Sequence, residues 1–482
     1  MPYGTQLSVR AQADPGGAAL ILVGSGGTES SWTWNALECS ANRWARAMAD
    51  RAVGVGDLVA LSVPNSAELI LGALAAWKLG AIPIPMRWDL PEWEQQRLLA
   101  AIEPALVLDA DTCDVIARDA ARHDDAALPE VISPALNGIC SSGSTGLPKI
   151  ILNMAPAVWT PDKSVPFIAQ WAPVTQPQII LVPAPMYHTN GFNPLTYLLG
   201  GDRLVVLEKF DAALALDAIE RHRVTHFTAT PTMLSRIADR PDVAQRDLSS
   251  VEWIMQGAAV MPPTLLRRWF DLLSPQRVVM AYGMTENLGL ATLRGDEWLE
   301  HPGSVGRGFR GTEIRVLDTE GNPCPTGEIG EIYLRAEMSD GYRYIGGASP
   351  LPTTADGFTS AGDLGHLDAD GFLYIADRRT DMIITGGANV FPAEVESALI
   401  DHPAVADVVV IGIADPQWGR RVHAVVQPAD PASPPSEQDV IAFAKGRLAP
   451  YKVPKTVEYV DEIPRSAATK VNRSAMVAAR GG

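Results

Sequence analysis

The chain has 482 residues and a formal charge of −17, with 47% hydrophobic and 20% charged residues. This length exceeds what one hydrophobic core fills, so a large N-terminal portion and at least one smaller domain are expected, and the composition excludes a disordered or fibrous chain. The acidic balance argues against a nucleic-acid partner, which needs a basic face, but leaves room for small polyanions held by a few cations and backbone amides. No apolar run is long enough to span a bilayer, and Met1–Gln6 has neither the basic nor the apolar part of a secretory signal. A cytoplasmic enzyme without membrane insertion is the expectation. Cys39, Cys113, Cys140 and Cys324 are scattered and form no C-x-x-C pair, which reads as buried free thiols.

In chain order, Ala19–Val23, a glycine-rich turn at 24–27 and Trp32–Trp34 read as a hairpin. Glu29 stands where a dinucleotide fingerprint requires its third glycine. Leu37, Ala41, Trp44, Ala45 and Met48 form a helical stripe. Asp57–Val63 reads as a buried strand, Leu69–Leu79 as a helix, and Ala81–Pro85 as extended chain. Strand and helix alternate through most of the first 300 residues, which predicts α/β layers. His222 and His226 have metal-pair spacing, but Val224-Thr225 reads as strand onset and no third ligand is near, so no metal is assigned there.

From Gly311 the pattern changes to short β segments: Glu313–Leu317, Gly327–Gly330, Glu331–Leu334 and Gly371–Ile375. These suggest a small β-barrel or antiparallel sheet. A polar break at Asp377–Asp381 precedes an α+β unit. In that unit Pro392 opens a helix, Val405–Ile413 is a strand, and Ser436 with Asp439 caps a further helix. The fold class is therefore α/β: a large N-terminal domain of layered sheets and helices with a small barrel, then a small α+β C-terminal domain. The boundary falls near Thr380, giving domains 1–379 and 380–482.

The sharpest motif is Ser141-Ser142-Gly143-Ser144-Thr145-Gly146-Leu147-Pro148-Lys149. Its glycines let the backbone turn N–H groups toward phosphate oxygens, and its hydroxyls and lysine add donors. Pro148 stands where a Walker A loop requires glycine, so it is not that loop. Tyr282-Gly283-Met284-Thr285-Glu286 follows a strand-like Val278–Ala281. Asp363, Arg378 and Lys470 lie further on, in Gly362-Asp363-Leu364, Asp377-Arg378 and Ala468-Thr469-Lys470. This set, in this order, resembles the adenylate-forming superfamily of acyl-CoA synthetases, peptide-synthetase adenylation domains and beetle luciferases, from about Trp32 to Arg473.

The resemblance implies an AMP-forming acid–CoA ligase using ATP, Mg²⁺ and CoA. Joining a carboxylate to the α-phosphate of ATP brings two anions together, so the site must neutralise charge and align the attack. Ser141, Ser142, Gly143, Ser144, Thr145, Gly146 and Lys149 would hold phosphates. Glu286 would hold Mg²⁺, and Thr285 would contact the α-phosphate or the acid. Tyr282 and Gly283 would lie against adenine, opposite Gly257, Ala258 and Ala259. Asp363 and Arg378 would bind the ribose. Lys470 would bridge the substrate carboxylate and the AMP portion, despite Thr469 replacing the family's usual glycine. In such enzymes the C-terminal domain then rotates and presents a glycine-rich segment to the thiol. Here Thr380 would be the hinge, and Gly386 and Gly387 would line the tunnel.

His188, Gln256, Met284 and Trp253 are expected to line a wide, mainly apolar acyl pocket; methionine suits irregular shapes. Arg87–Pro91 and Trp298–Gly306 resemble stretches of bacterial ligases for steroid, bile or diterpenoid acids. The expected partners are a carboxylic acid, ATP and CoA, with a homodimer left open. Three other readings stand beside this one: loading of a carrier-protein pantetheine, a luciferase-like oxygenase, and a non-catalytic nucleotide-binding scaffold. A fused carrier segment after Lys470 is not expected, which weakly favours free CoA.

Overall fold

A computed structural model describes residues 1–142, 148–337, 341–378, 381–386, 388–465 and 471–480. Two compact units partition the chain: Met1–Pro302 with Ala336–Pro350, and Gly303–Arg335 with Leu351–Gly482.

The first unit is built on a mixed sheet. Its strands run in the order Leu290–Arg294, Val278–Gly283, Trp253–Gln256, His226–Ala229, Ile179–Val182, Arg203–Leu207, Ala18–Val23 and Glu29–Thr33. The strands from Val278–Gly283 to Ala18–Val23 pair in parallel, and antiparallel pairs flank them on both sides. Parallel strands covered on both faces need continuous apolar runs, as in Leu204–Leu207, all fully buried. Crossover helices Ala212–His222 and Pro231–Ala238 are capped by the side chains of Asp211 and Thr230. A parallel sheet (Ile82–Pro85, Leu58–Leu61, Leu106–Leu108) and an antiparallel one (Tyr342–Ile345, Pro148–Asn153, Asn137–Ser142) complete the unit.

The expected stripe Leu37, Ala41, Trp44, Ala45 and Met48 is buried on helix Trp34–Ala49. A helix absent from the sequence reading, Tyr3–Ala13, precedes it. Its apolar face is only Tyr3, Leu7 and Ala11, too sparse to read, and long-range contacts hold it. Gln6 Nε2 donates to Leu199 O at 2.9 Å and Lys78 Nζ to Gly4 O at 3.1 Å. Burial lowers the Lys78 pKa, and the Glu38 carboxylate, 2.8 Å away, opposes that effect.

Trp253 is fully buried, stacked on the His226 ring at 3.7 Å, and donates from Nε1 to Gln178 Oε1. His226 Nδ1 has no hydrogen-bond partner among the described residues, and burial pushes this histidine's pKa down to about 3. In the unfolded chain a histidine titrates near 6.5, so between those values only the unfolded state takes the proton, and stability falls as pH falls. Acidification from pH 7 to pH 5 should therefore cost about 2 kcal/mol through this residue alone. His226→Phe, which keeps the ring stack, should lose correspondingly less in urea titrations at the two pH values. Equal losses in both proteins would contradict the buried neutral imidazole.

In the second unit, Thr312–Leu317, Gly330–Ala336, Thr359–Leu367 and Leu373–Arg378 form a four-stranded sheet. Residues 327–329, expected to be extended, lie outside any strand: a turn at 326–327 and irregular chain lead into the sheet. Beyond it, the long hairpin Val405–Asp415 and Gly419–Pro428 pairs with Ile383–Thr385 and Thr456–Tyr459, under helices Pro392–Ile400 and Glu437–Lys445. Its core includes Val395, Leu399, Val410, Val426 and Val440, and each such side chain contributes roughly 1.5–3 kcal/mol on burial. Ser436 caps the second helix, its Oγ accepting from Asp439 N at 3.1 Å. The four cysteines are free; Cys113 is buried, and Cys39, Cys140 and Cys324 are half-buried.

Candidate active site

In the first unit, Ser141 and Ser142 end one strand of an antiparallel pair and Pro148 and Lys149 begin the other, with Ser141 opposite Lys149. Gly143, Ser144, Thr145 and Gly146 lie outside the described residues, as do the side chains of Ser141 and Ser142. The hairpin aims Lys149 at Glu286, in the turn after strand Val278–Gly283. Lys149 Nζ donates to Glu286 Oε1 at 2.5 Å. Tyr344, not anticipated from the sequence, donates its hydroxyl to the same oxygen at 2.6 Å. Its ring also lies beneath the lysine, with Nζ 4.3 Å from the centroid.

Glu286 is buried, with its side chain 9% exposed. Burial alone would raise its pKa, but the hydrogen bonds from Lys149 and Tyr344 outweigh that and leave it below the usual carboxylate value. The glutamate is thus held ionised in an apolar setting, and both donors use Oε1 only. An ionised carboxylate of this kind is the hard oxygen donor Mg²⁺ requires, so the residues present fit that ion.

The C-terminal ends of the parallel strands supply the next elements. Trp253–Gln256 runs beside Val278–Gly283 with Gln256 opposite Met280, and Gly257 lies against the Ala281 carbonyl. Gly257–Ala259 therefore leave the sheet beside Ala281–Gly283, the last residues of the neighbouring strand, at the strand ends where α/β sheets bind ligands. Gln256 Nε2 donates to Ala259 O and fastens that loop, in which Ala258 takes φ +73°. Thr285 Oγ1 lies 3.4 Å from Thr189 Oγ1. That contact joins the Glu286 turn to the segment carrying His188, which precedes helix Thr189–Phe192. The segment turns tightly, since a Cβ on Gly191 would sit 2.3 Å from Pro185 O.

His188 is half-buried and packs on Tyr187, their ring centroids 4.5 Å apart. Burial raises the Tyr187 pKa, with Arg87 opposing and Asp89 adding to the shift, so the Arg87–Asp89 pair is an electrostatic neighbour of this segment. Met284 is half-buried in the turn before Thr285. Trp253 and Gln256, expected to line one cavity together, project from opposite faces of their strand because side chains alternate. Trp253 is committed to the packing around His226. Trp298 likewise packs on Phe270, with centroids 6.2 Å apart.

In the second unit, Asp363 faces Arg378 across two antiparallel strands, with Arg378 Nε 3.8 Å from Asp363 Oδ1. Arg378 is largely exposed and Asp363 mostly covered. Gly386 takes φ +55°, and an added Cβ would sit 2.6 Å from the Trp418 ring, so only glycine fits. Gly387, Thr380 and Lys470 lie outside the described residues. The chain flanking Lys470 is described. Arg465 forms a β-bridge with Val471 and a two-pronged pair with Asp407 at 2.8 and 2.9 Å. Arg473 reaches Glu396 at 2.7 Å and Asp381 at 3.2 Å.

Comparison with known proteins identifies the family. The family model "AMP-binding enzyme" matches residues 7–342, and "AMP-binding enzyme C-terminal domain" matches 394–470. A feruloyl-CoA synthase of Amycolatopsis sp is 34% identical over 87% of this chain and 89% of its own length. An indoleacetate–CoA ligase of Aromatoleum aromaticum is 32% identical over 89% and 90%. The structure of o-succinylbenzoate CoA synthetase from Bacillus subtilis, in complex with its acyl-adenylate intermediate, has a TM-score of 0.84 at 27% identity, covering 98% of this chain and 97% of that one. The chain belongs to the AMP-binding enzyme family and so to the adenylate-forming superfamily. Within it, the chain is an AMP-forming acyl-CoA synthetase.

Proposed function

We propose that the enzyme activates a bulky hydrophobic or polycyclic acid, of steroid or terpenoid type, and transfers the acyl group to free CoA. The coarser reaction is acid plus ATP plus CoA giving acyl-CoA, AMP and pyrophosphate, with Mg²⁺. The observation that carries the assignment of roles is the Lys149–Glu286–Tyr344 cluster beside the strand ends at Gly257–Ala259 and Tyr282–Thr285. Phosphate oxygens would draw Lys149 off the carboxylate, while Tyr344 keeps Glu286 in place. Mg²⁺ at Glu286 supplies positive charge to phosphate oxygens. Tyr282, with Gly257–Ala259, takes adenine; Asp363 with Arg378 takes the ribose hydroxyls; Thr285 faces the α-phosphate or the acid. Lys470 adds its charge during adenylation, then withdraws as the part from 380 to 482 pivots at Thr380. Gly386 and Gly387 then border the pantetheine path.

The acyl wall in this reading is His188, Gln256 and Met284, with Trp253 behind it and the Arg87–Asp89 pair next to Tyr187. A flat aromatic acid is the second reading, favoured by the names of the feruloyl-CoA and indoleacetate relatives. The proposal includes a cytoplasmic location and leaves room for a homodimer.

A panel of acids with ATP, Mg²⁺ and CoA, read by mass spectrometry for acyl-AMP and acyl-CoA, tests the substrate. Steroid and diterpenoid acids should give thioester at higher kcat/KM than ferulate, indoleacetate or fatty acids. Preference for the aromatic acids would transfer the assignment to the second reading. Adenylate without CoA thioester would point to a carrier-bound pantetheine.

A further inference from the structure

We infer that Tyr344 is a positioning residue for the metal-binding carboxylate, holding Glu286 where it must stay when Lys149 leaves for the nucleotide. The inference rests on the proposed metal role of Glu286.

Tyr344 lies on strand Tyr342–Ile345, antiparallel to Pro148–Asn153, with Ile151 as its Cα partner. Lys149 is two residues from Ile151, so Lys149 and Tyr344 are diagonal neighbours on one face of the pair. That placement puts the ring beneath the ammonium and the hydroxyl on Glu286 at 2.6 Å. Glu286 comes from a different sheet, so Tyr344 and Lys149 are what tie its carboxylate to the phosphate-loop strand.

The two donors differ in what binding does to them. Lys149 is the cation that a polyphosphate competes for, and moving it leaves a buried carboxylate with one fewer partner, which is costly. The tyrosine hydroxyl has no such competitor, because a neutral phenol offers a phosphate little that Lys149 does not. It therefore remains on Oε1, caps that lone pair, and leaves Oε2 to face an incoming cation. Hydrogen-bond partners of ligating carboxylates do this in metal sites generally.

The test uses the full-length protein and its Tyr344→Phe variant, which keeps the ring and loses only the hydroxyl. Mn²⁺ binding in the presence of ATP is read by electron paramagnetic resonance, and ATP binding in EDTA by calorimetry. Tyr344→Phe should weaken Mn²⁺ about 10-fold or more, the usual cost of removing such a partner. Metal-free ATP affinity and melting temperature should stay at wild-type values, and kcat should fall while KM for the acid does not change. A variant that loses metal-free ATP binding or melting temperature along with Mn²⁺ would show a merely structural tyrosine and overturn the inference. Glu286→Gln separates the two layers. If it abolishes the Mn²⁺ signal while Tyr344→Phe binds like wild type, the tyrosine inference fails and the metal role stands. If Glu286→Gln itself binds Mn²⁺ normally, the metal role fails first.

Discussion

Glu286→Gln is expected to lower acid-dependent pyrophosphate release by about 100-fold or more, the scale of loss when one preorganised charge-stabilising group is removed from a site that excludes water. Glutamine keeps the shape and can still accept from Lys149 and Tyr344 through its carbonyl oxygen, so the fold should survive. What disappears is the negative charge, which those two groups hold ionised against burial. The deficit should therefore persist at saturating ATP and shrink only partly as Mg²⁺ is raised. Wild-type rates at ordinary Mg²⁺ would mean the charge is held ionised for some purpose other than metal binding.

The second large effect is a division of the two half-reactions. Lys470→Ala should abolish acyl-adenylate formation, a loss of about two to four orders of magnitude for a group acting in the transition state. It should still pass the acyl group from supplied acyl-adenylate to CoA. Gly387→Leu should do the reverse, accumulating adenylate without thioester, because a side chain would obstruct the pantetheine arm. Its neighbour Gly386 already has no room for a Cβ beside Trp418. Single-turnover assays of each step separately read this out. Equal loss of both steps in either folded variant would remove the basis for two working conformations.

Local pattern carried much of this, and long-range packing accounts for the rest. The stripe on Trp34–Ala49, the strand ending at Gly283 and the Ser436 cap were legible because each rests on periodicity or capping within a few residues. Lys149 and Glu286 could be named from their motifs, but their contact spans 137 positions and belongs to the folded chain. Tyr344 was missed for that reason. Its only local signal, Tyr342 and Tyr344 on one face of a short strand, is equally a packing pattern. Trp253, an aromatic beside a motif and expected to line the pocket, is turned away from Gln256 by strand alternation and packs on His226, a placement that no local window shows. Helix Tyr3–Ala13 depends on partners such as Leu199, which no sequence window includes.

The clasp between Arg465 and Val471 bears on how the terminal lysine can act. Val471 packs among Val409, Ile411 and Ile463, and Arg465 is locked to Asp407 on the long hairpin. Arg473 grips Glu396 on the neighbouring helix. Lys470 is covalently bonded to Val471, whose backbone neighbours lie a fixed ~3.8 Å away. The chain on either side of positions 466–470 is thus anchored to one folded module. If Lys470 acts as proposed, its arrival and departure would fall to transport of that whole module, anchored through Arg465, Val471 and Arg473.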